Sequence, residues 1–314
     1  MNQDKMHGTV CNSTESQLTY IIETSVYIPA FICGLLLNVW ALWVFCSKLN
    51  KWSETRVYMT NLAAADCLFV LMLPVRLAYK TKSVNTLCHV LESAYFVNRY
   101  MSVFLITITA IDRYIAIAYP LKAKNLRSPR KSAIVCGFLW ILLISIICTV
   151  KFVDERSEKE ICFIKITKKP SVFLLASVIW GFLIPLAILS FCSIRITTKL
   201  IKKKNTHPQE VKLIQKAINI IFANMGVFFV CFLPLHVALF IRFIADFRKA
   251  SCAEMENIEL FVSLAAILAN TNCCLDAICY YFVNKEFQEA SLKLSTKYLS
   301  HLNQESEKQD SGNI

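Results

Sequence analysis

Glycine, charge and the motifs of soluble enzymes are what this sequence lacks. It has 6 glycines in 314 residues, and 18% of its residues are charged against 56% hydrophobic. With a mean hydropathy of +0.49 it is too apolar for a soluble domain of this size and reads as a membrane protein. No His/Cys set has metal-ligand spacing, no glycine loop cradles phosphate, and no nucleophile elbow appears. Enzyme readings therefore have no support. Porin-like alternation is absent, which argues against a β-barrel. Internal repeats and glycine-broken spans, the marks of secondary transporters, are missing too. Only Asp66, Arg99 and Asp276 speak for a transporter or proton-coupled channel. Residues 1–19 lack the apolar core of a cleavable leader, so the first span is expected to act as its own insertion signal. No cysteine follows Cys279, which excludes a palmitoyl anchor on the tail.

What is present is a series of seven apolar stretches, roughly 20–46, 56–79, 88–117, 132–152, 171–200, 216–245 and 256–283. About twenty apolar residues cross a bilayer as a helix. Length and composition thus predict an all-α membrane protein, a bundle of seven transmembrane helices over residues 20–283. Phe287, Ala290, Leu294 and Tyr298 recur at helical spacing, so 284–298 is expected to be a short amphipathic helix on the inner leaflet. Residues 299–314 are polar and read as a disordered tail whose serines either accept phosphate or stay inert. The net charge of +12 crowds into the loops after the first, third and fifth spans, with Lys48, Lys51, Arg56, Lys122, Arg127, Arg130, Lys202 and Lys203 among them. An inside excess of Lys and Arg puts those loops in the cytosol and the 1–19 tail outside the cell. The basic loop 151–169 is an exception, partly offset by Asp154, Glu155, Glu158 and Glu160. Loops pinned to a membrane exclude a nucleic-acid partner. Asn12-Ser13-Thr14 is a glycosylation acceptor in the tail.

Of 14 cysteines, four fall on the predicted outer side: Cys11, Cys88, Cys162 and Cys252. An oxidising face permits disulfides, and four cysteines allow three pairings.

Asp112-Arg113-Tyr114 closes the third stretch. An arginine at the end of a membrane helix is expensive to place unless it is used. The triplet is one of a run of marks in fixed order. They are Gly34 to Asn38, Asn61 to Asp66, Leu73-Pro74, Cys88, Trp140, Pro185, Cys231 to Pro234, and Asn272 to Tyr280. Together they resemble the rhodopsin-like G protein-coupled receptors. Further strings, among them Asn98 to Ser102 and Leu126 to Arg130, are similar to one branch of that family. Its members are associated with a tryptophan-pathway acid and with lysophospholipids. The resemblance implies a plasma-membrane receptor. Its partners would be an extracellular ligand, a heterotrimeric G protein of the inhibitory or Rho-activating class, arrestin and receptor kinases. It implies a Cys88–Cys162 bridge, which would leave Cys11 to pair with Cys252. Departures are Phe232 where tryptophan is usual, Ser193 for tyrosine, Ala277 for proline, and Ile214 where an acidic partner for Arg113 is common. An agonist-free decoy or constitutively active receptor therefore stays open.

Three sites follow. Glu92, Tyr95, Arg99, Ser102 and Ile106 are three or four residues apart and share a face of the third span. Arg99 lies eleven residues after Cys88, about 16 Å down the axis at 1.5 Å per residue. A guanidinium there must meet an anion or water. Arg76, Lys151 and Arg242 are candidates to join it around an anionic small molecule or lysophospholipid. Tyr95, Phe96, Tyr100 and His236 would form the wall. The other readings are an ion pair of Arg99 with Glu92 or Glu259, interfacial charges, and a core histidine. Tyr95 stands where amine receptors carry a carboxylate, and Asn270 where retinal proteins carry their lysine, so both ligand types are disfavoured. Deeper, Asp66 and Asp276 with Asn98, Ser102 and Asn272 resemble the family's allosteric sodium site; a water-filled network sharing one proton is the alternative. At the inner face, Asp112, Arg113 and Tyr114 are the coupling residues that the resemblance implies.

Overall fold

The structure, a computed structural model, describes residues 17–49, 51–79, 85–153, 162, 172–202 and 208–283. The first span is α1, Gln17–Trp43, continued by a wider turn at Val44–Lys48. The next two are α2, Glu54–Tyr79, and α3, Thr86–Ala118. A short α4, Pro120–Leu126, leads into α5, Pro129–Val153. The fifth span joins α6, Val172–Val178, through a π-helical turn to α7, Ile184–Lys202. The sixth is α8, Pro208–Arg248. The seventh is α9, Cys252–Asn270, and α10, Asn272–Val283. Seven helical stretches are long and apolar enough to cross a membrane. The helices end within a few residues of the expected spans, except that α8 starts earlier, at Pro208. The 284–298 and 299–314 segments, and all but the last residues of the 1–19 tail, including Asn12, lie outside the described residues.

The helices pack in a ring. α1 packs on α2, α2 on α3, α3 on α5 and α7, α8 on α9, and α10 closes back on α1 and α2. Apolar side chains cover both the core and the rim. Phe45, Met101, Leu105, Phe228 and Phe232 are sealed inside, whereas Leu36, Ile134, Phe138, Ile141 and Trp180 face outward. An apolar rim of that kind is at home only in lipid, where helices satisfy every backbone group internally. Polar contacts between described residues tie the spans together. Asn38 donates to the Cys273 carbonyl at 2.8 Å and to Gly34 at 2.9 Å, tying the first span to the seventh. Trp140 donates to Asn61 at 3.2 Å. Gly34 brings α1 close to α2; a Cβ there would stand 2.9 Å from Val70.

Two irregularities have local causes. Pro185 has no N–H, so the carbonyl one turn before it loses its partner. The π-helical turn Ile179–Leu183 absorbs this, and Gly181 within it lets the Tyr100 ring lie against the backbone. In the seventh span Ala277 offers no kink, and the break falls instead at Thr271, between α9 and α10. There the Thr271 hydroxyl donates to the Leu268 carbonyl at 2.7 Å.

Arg56 behaves unlike a loop charge. It is 2% exposed, stacks on Trp52 at 3.9 Å, and donates to the carbonyls of Phe45, Leu49 and Lys51. The Phe45 carbonyl lies in the last turn of the first span, Leu49 caps it and Lys51 follows in the loop, where helix-end carbonyls need outside donors. Arg56 thus closes the turn between α1 and α2.

Candidate functional site

One end of the bundle is marked by a disulfide, the other by Asp112-Arg113. At the bridge end, Asn85 caps α3 by accepting from the Cys88 N–H at 3.0 Å. That sets Cys88 against Cys162, with Cα atoms 5.8 Å apart and both side chains buried. Cys252 is also disulfide-bonded, and Cys11 lies outside the described residues.

The four cations proposed for the outer cavity separate on inspection. Arg76 reaches across to α1 and donates to one oxygen of Glu23 from Nε at 3.0 Å and Nη2 at 2.7 Å. Its guanidinium also lies 4.4 Å from the Tyr95 ring centre and 5.6 Å from that of Tyr27. Arg242 pairs with Asp246 one turn along α8 at 3.1 Å, and with Glu259 of α9. Lys151 sits near the end of α5, its side chain outside the described set. Arg99 differs from these. It rests near the Phe96 ring at 5.8 Å, its Nε is buried without a partner, and no described hydrogen bond or ion pair engages its guanidinium. Neither Glu92 nor Glu259 pairs with it; Glu259 belongs to Arg242. Of the two carboxylates weighed for Arg99, Glu259 pairs with Arg242 instead.

The aromatic residues expected as walls pack on several different helices. Tyr95 meets Phe69 edge-on at 4.8 Å, and Phe96 meets Phe173 at 5.5 Å. His236 lies between Phe182, stacked at 4.5 Å, and Tyr100, at 6.4 Å. Its Nδ1 is 2.7 Å from the Phe232 carbonyl, which places the proton on Nδ1 and leaves Nε2 an acceptor. That Nε2 and the Tyr100 hydroxyl are both buried without partners.

The mid-bundle polar set is divided. Asn98, Ser102 and Asn272 line a small cavity with Arg99 and Phe232. Asp276 accepts from the Asn272 amide at 2.6 Å but faces the larger cavity below. Asp66 is fully buried on α2. The donor set is all oxygen, which suits a hard cation. The small cavity, however, measures about 10 Å³ and already has an arginine on its wall. A free cation and a fixed one would crowd a space that fits about one water. The residues present therefore fit a sodium ion poorly.

At the opposite end, Asp112 does not turn to Arg113. It is taken by Arg127, which donates from Nε and Nη2 to its two oxygens at 2.7 Å each. Glu54 stands 3.4 Å from the same guanidinium. The hydrogen bonds to Asp112 push the Arg127 pKa above its ordinary value, so its guanidinium stays charged at any physiological pH. Arg113 keeps no described hydrogen bond and lines a cavity of about 130 Å³ with Thr109, Ser193, Asn224 and Asp276 among apolar walls. Tyr114 packs edge-on against Tyr119 at 5.9 Å and Phe191 at 5.7 Å. Ile214's side chain lies outside the described residues. Sequence reasoning missed Glu23, Asp246 and the role of Arg127. Glu23 is an acidic residue inside an apolar span, a signal that was available; Arg127 reads as one loop charge among many.

Residues 37–280 match the family model described as 7 transmembrane receptor (rhodopsin family). The chain belongs to this family. It is a multi-pass membrane receptor of the G protein-coupled kind, and not an enzyme. It is 39% identical over 306 residues to G-protein coupled receptor 35 of Mus musculus, covering 96% of this chain and 98% of that one. It is 36% identical over 298 residues to human (Homo sapiens) G-protein coupled receptor 55, covering 92% and 93%. Human lysophosphatidic acid receptor 4 is 30% identical over 302 residues, with 91% and 81% covered.

Proposed function

We propose that this chain is a plasma-membrane receptor that takes an anionic small molecule or lysophospholipid at its bridge end and activates heterotrimeric G proteins at its Arg113 end. The bridge end and the N-terminal tail face outside the cell, where disulfides persist. The observation that carries the reading is Arg99, a cation well below the bridge end whose guanidinium makes no hydrogen bond or ion pair with a described residue, while Arg76 and Arg242 are paired. An unpaired guanidinium in low dielectric favours a bound acid, which it grips with two parallel hydrogen bonds. Tyr95, Phe96, Tyr100 and His236 give the site aromatic walls that suit an aromatic acid or the chain of a lysophospholipid. A relative named for lysophosphatidic acid supports the lipid class.

At the other end, Arg113 lines the cavity in which a G protein helix would dock when α8 moves outward. Ligand and G protein then favour one conformation, and their coupling is reciprocal. The inhibitory and Rho-activating classes are the transducers of this reading, followed by receptor kinases and arrestin.

The test is nucleotide exchange in cells exposed to a panel of acidic metabolites and lysophospholipids, each beside its methyl ester or neutral analogue. Active acids should lose potency as esters on wild type and lose little more on Arg99→Ala. Equal potency of acid and ester on wild type would sink the anion reading. No described residue makes an ion pair with Arg113, which favours a second reading, high basal activity without agonist. Exchange measured in ligand-free nanodiscs distinguishes it.

A further inference from the structure

The small cavity beside Arg99 holds two unmatched buried atoms of opposite kind. Arg99 Nε is a donor without an acceptor, and Asn272 Oδ1 is an acceptor without a donor. The Asn272 amide group is already committed to Asp276, so its carbonyl oxygen is the end left over. Ser102 and Asn98, 3.5 Å apart through Oγ and Oδ1, complete an oxygen-rich wall. Phe232 closes the same space and packs in turn against Phe228, at 5.5 Å between ring centres. A covalently tethered cation thus stands on the wall of the pocket whose oxygens the family resemblance reserves for a free one. Two like charges in a dry site of this size exclude each other.

We propose that Arg99 is the resident cation of this pocket. Its guanidinium serves the oxygens of Asn98, Ser102 and Asn272 in the ligand-free receptor, directly or through one water, and sodium has no place there. The proposal does not depend on the ligand reading. Where both hold, one guanidinium answers two claims, the oxygens below it and a ligand anion above. An arriving acid draws the cation away from Asn272 and alters the packing of Phe232. Binding is then coupled to the α3, α8 and α10 contacts by the movement of a side chain rather than by the exit of an ion.

The experiment is the melting temperature of the purified full-length receptor as sodium chloride replaces N-methylglucamine chloride at constant ionic strength. No agonist is present, so the outcome is separate from that of the anion-binding test. Wild type should melt at the same temperature in both salts. Arg99→Gln should gain a sodium-specific rise of about 3 °C when sodium reaches about ten times its dissociation constant. Adding Asp66→Asn should abolish that rise. Arg99→Met, which keeps the apolar stem and removes the charge, is the second variant should Arg99→Gln fail to fold. A wild-type receptor that sodium stabilises would overturn the proposal, as would neutral variants that fold and remain indifferent to sodium. The wild-type titration decides by itself in the first case.

Discussion

The two ends of α3 each present an arginine to the middle of the bundle, fourteen residues apart, and the protein treats the pair alike. At the bridge end Arg76 and Arg242 are neutralised by Glu23, Asp246 and Glu259, while Arg99 makes no ion pair with a described residue. At the far end Arg127 takes Asp112 and Glu54, while Arg113 makes no ion pair with a described residue and lies beside a cavity. At the bridge end Glu259 is claimed by Arg242, and at the far end Asp112 and Glu54 are claimed by Arg127. The paired arginines join helix to helix or loop to helix; no described hydrogen bond or ion pair engages the other two. The ends differ in setting. Glu23 is 1% exposed and its pair lies within the bundle, whereas Arg127 is 23% exposed and open to solvent screening.

The sharpest way to break this comparison is to remove a paired arginine from the bridge end. Arg76→Ala leaves the Glu23 carboxylate buried and alone, a loss of about 3–5 kcal/mol. We expect a lower melting temperature and reduced surface expression, with much of both restored by the double change Glu23→Gln and Arg76→Gln. If Arg76→Ala were as stable as wild type and lost only agonist response, Arg76 would belong with Arg99 among ligand anchors.

Next comes the bridge. Cys162→Ser frees the N-terminal end of α3, and loss of a native disulfide costs roughly 2–5 kcal/mol. Ligand response should fall with surface expression. Protein that does reach the surface should keep its basal nucleotide exchange, since Arg113 lies about 37 Å away along α3 at 1.5 Å per residue. Unchanged expression and response would show that the capped end of α3 stands without the bridge.

A smaller effect is expected at the unpaired residue itself. Arg99→Ala should fold and reach the surface, because it breaks no described ion pair and water can take the place of the guanidinium beside Asn98, Ser102 and Asn272. Agonist potency should fall about ten- to a hundredfold, the worth of a charge-assisted hydrogen bond of about 1.5–3 kcal/mol. Arg99→Lys should recover only part of it, since an ammonium cannot make two parallel bonds. Concentration–response curves beside cell-surface labelling decide between this outcome and simple misfolding.

The smallest effect belongs to the solvent-facing pair. Arg127→Ala returns Asp112 to its neighbour Arg113 and should lower basal exchange by no more than about fivefold, equivalent to about 1 kcal/mol. Asp112→Asn in the same background should erase the difference. A basal rate that rises instead would mean that the Arg127–Asp112 contact restrains the receptor rather than releasing Arg113.

Much of this was legible beforehand, and the misses have a common cause. The spans could be placed because bilayer thickness sets a length that apolar runs must meet, and α2 and α3 start within two residues of expectation. The inward face of α3 could be drawn because Glu92, Tyr95, Arg99 and Ser102 share one helix, where spacing sets direction. Arg56 was miscounted as a loop charge because its acceptors, the carbonyls of Phe45, Leu49 and Lys51, come together only when the chain turns between α1 and α2. The break in the seventh span could not be located from Ala277, since the cause at Thr271 is a local hydroxyl contact.

By itself the sequence determined that this chain spans a membrane seven times and belongs to the rhodopsin family, since helix length, charge bias and motif order are local properties of the chain. Only the tertiary structure decided which arginines are spent on the fold and which stay available. Glu23 lies 53 residues from Arg76, and Glu54 lies 73 from Arg127. No spacing rule joins residues on different helices. Ion pairing in the interior depends on which faces the packed bundle turns toward each other, and the stakes are high there because little water is present to solvate a charge left over.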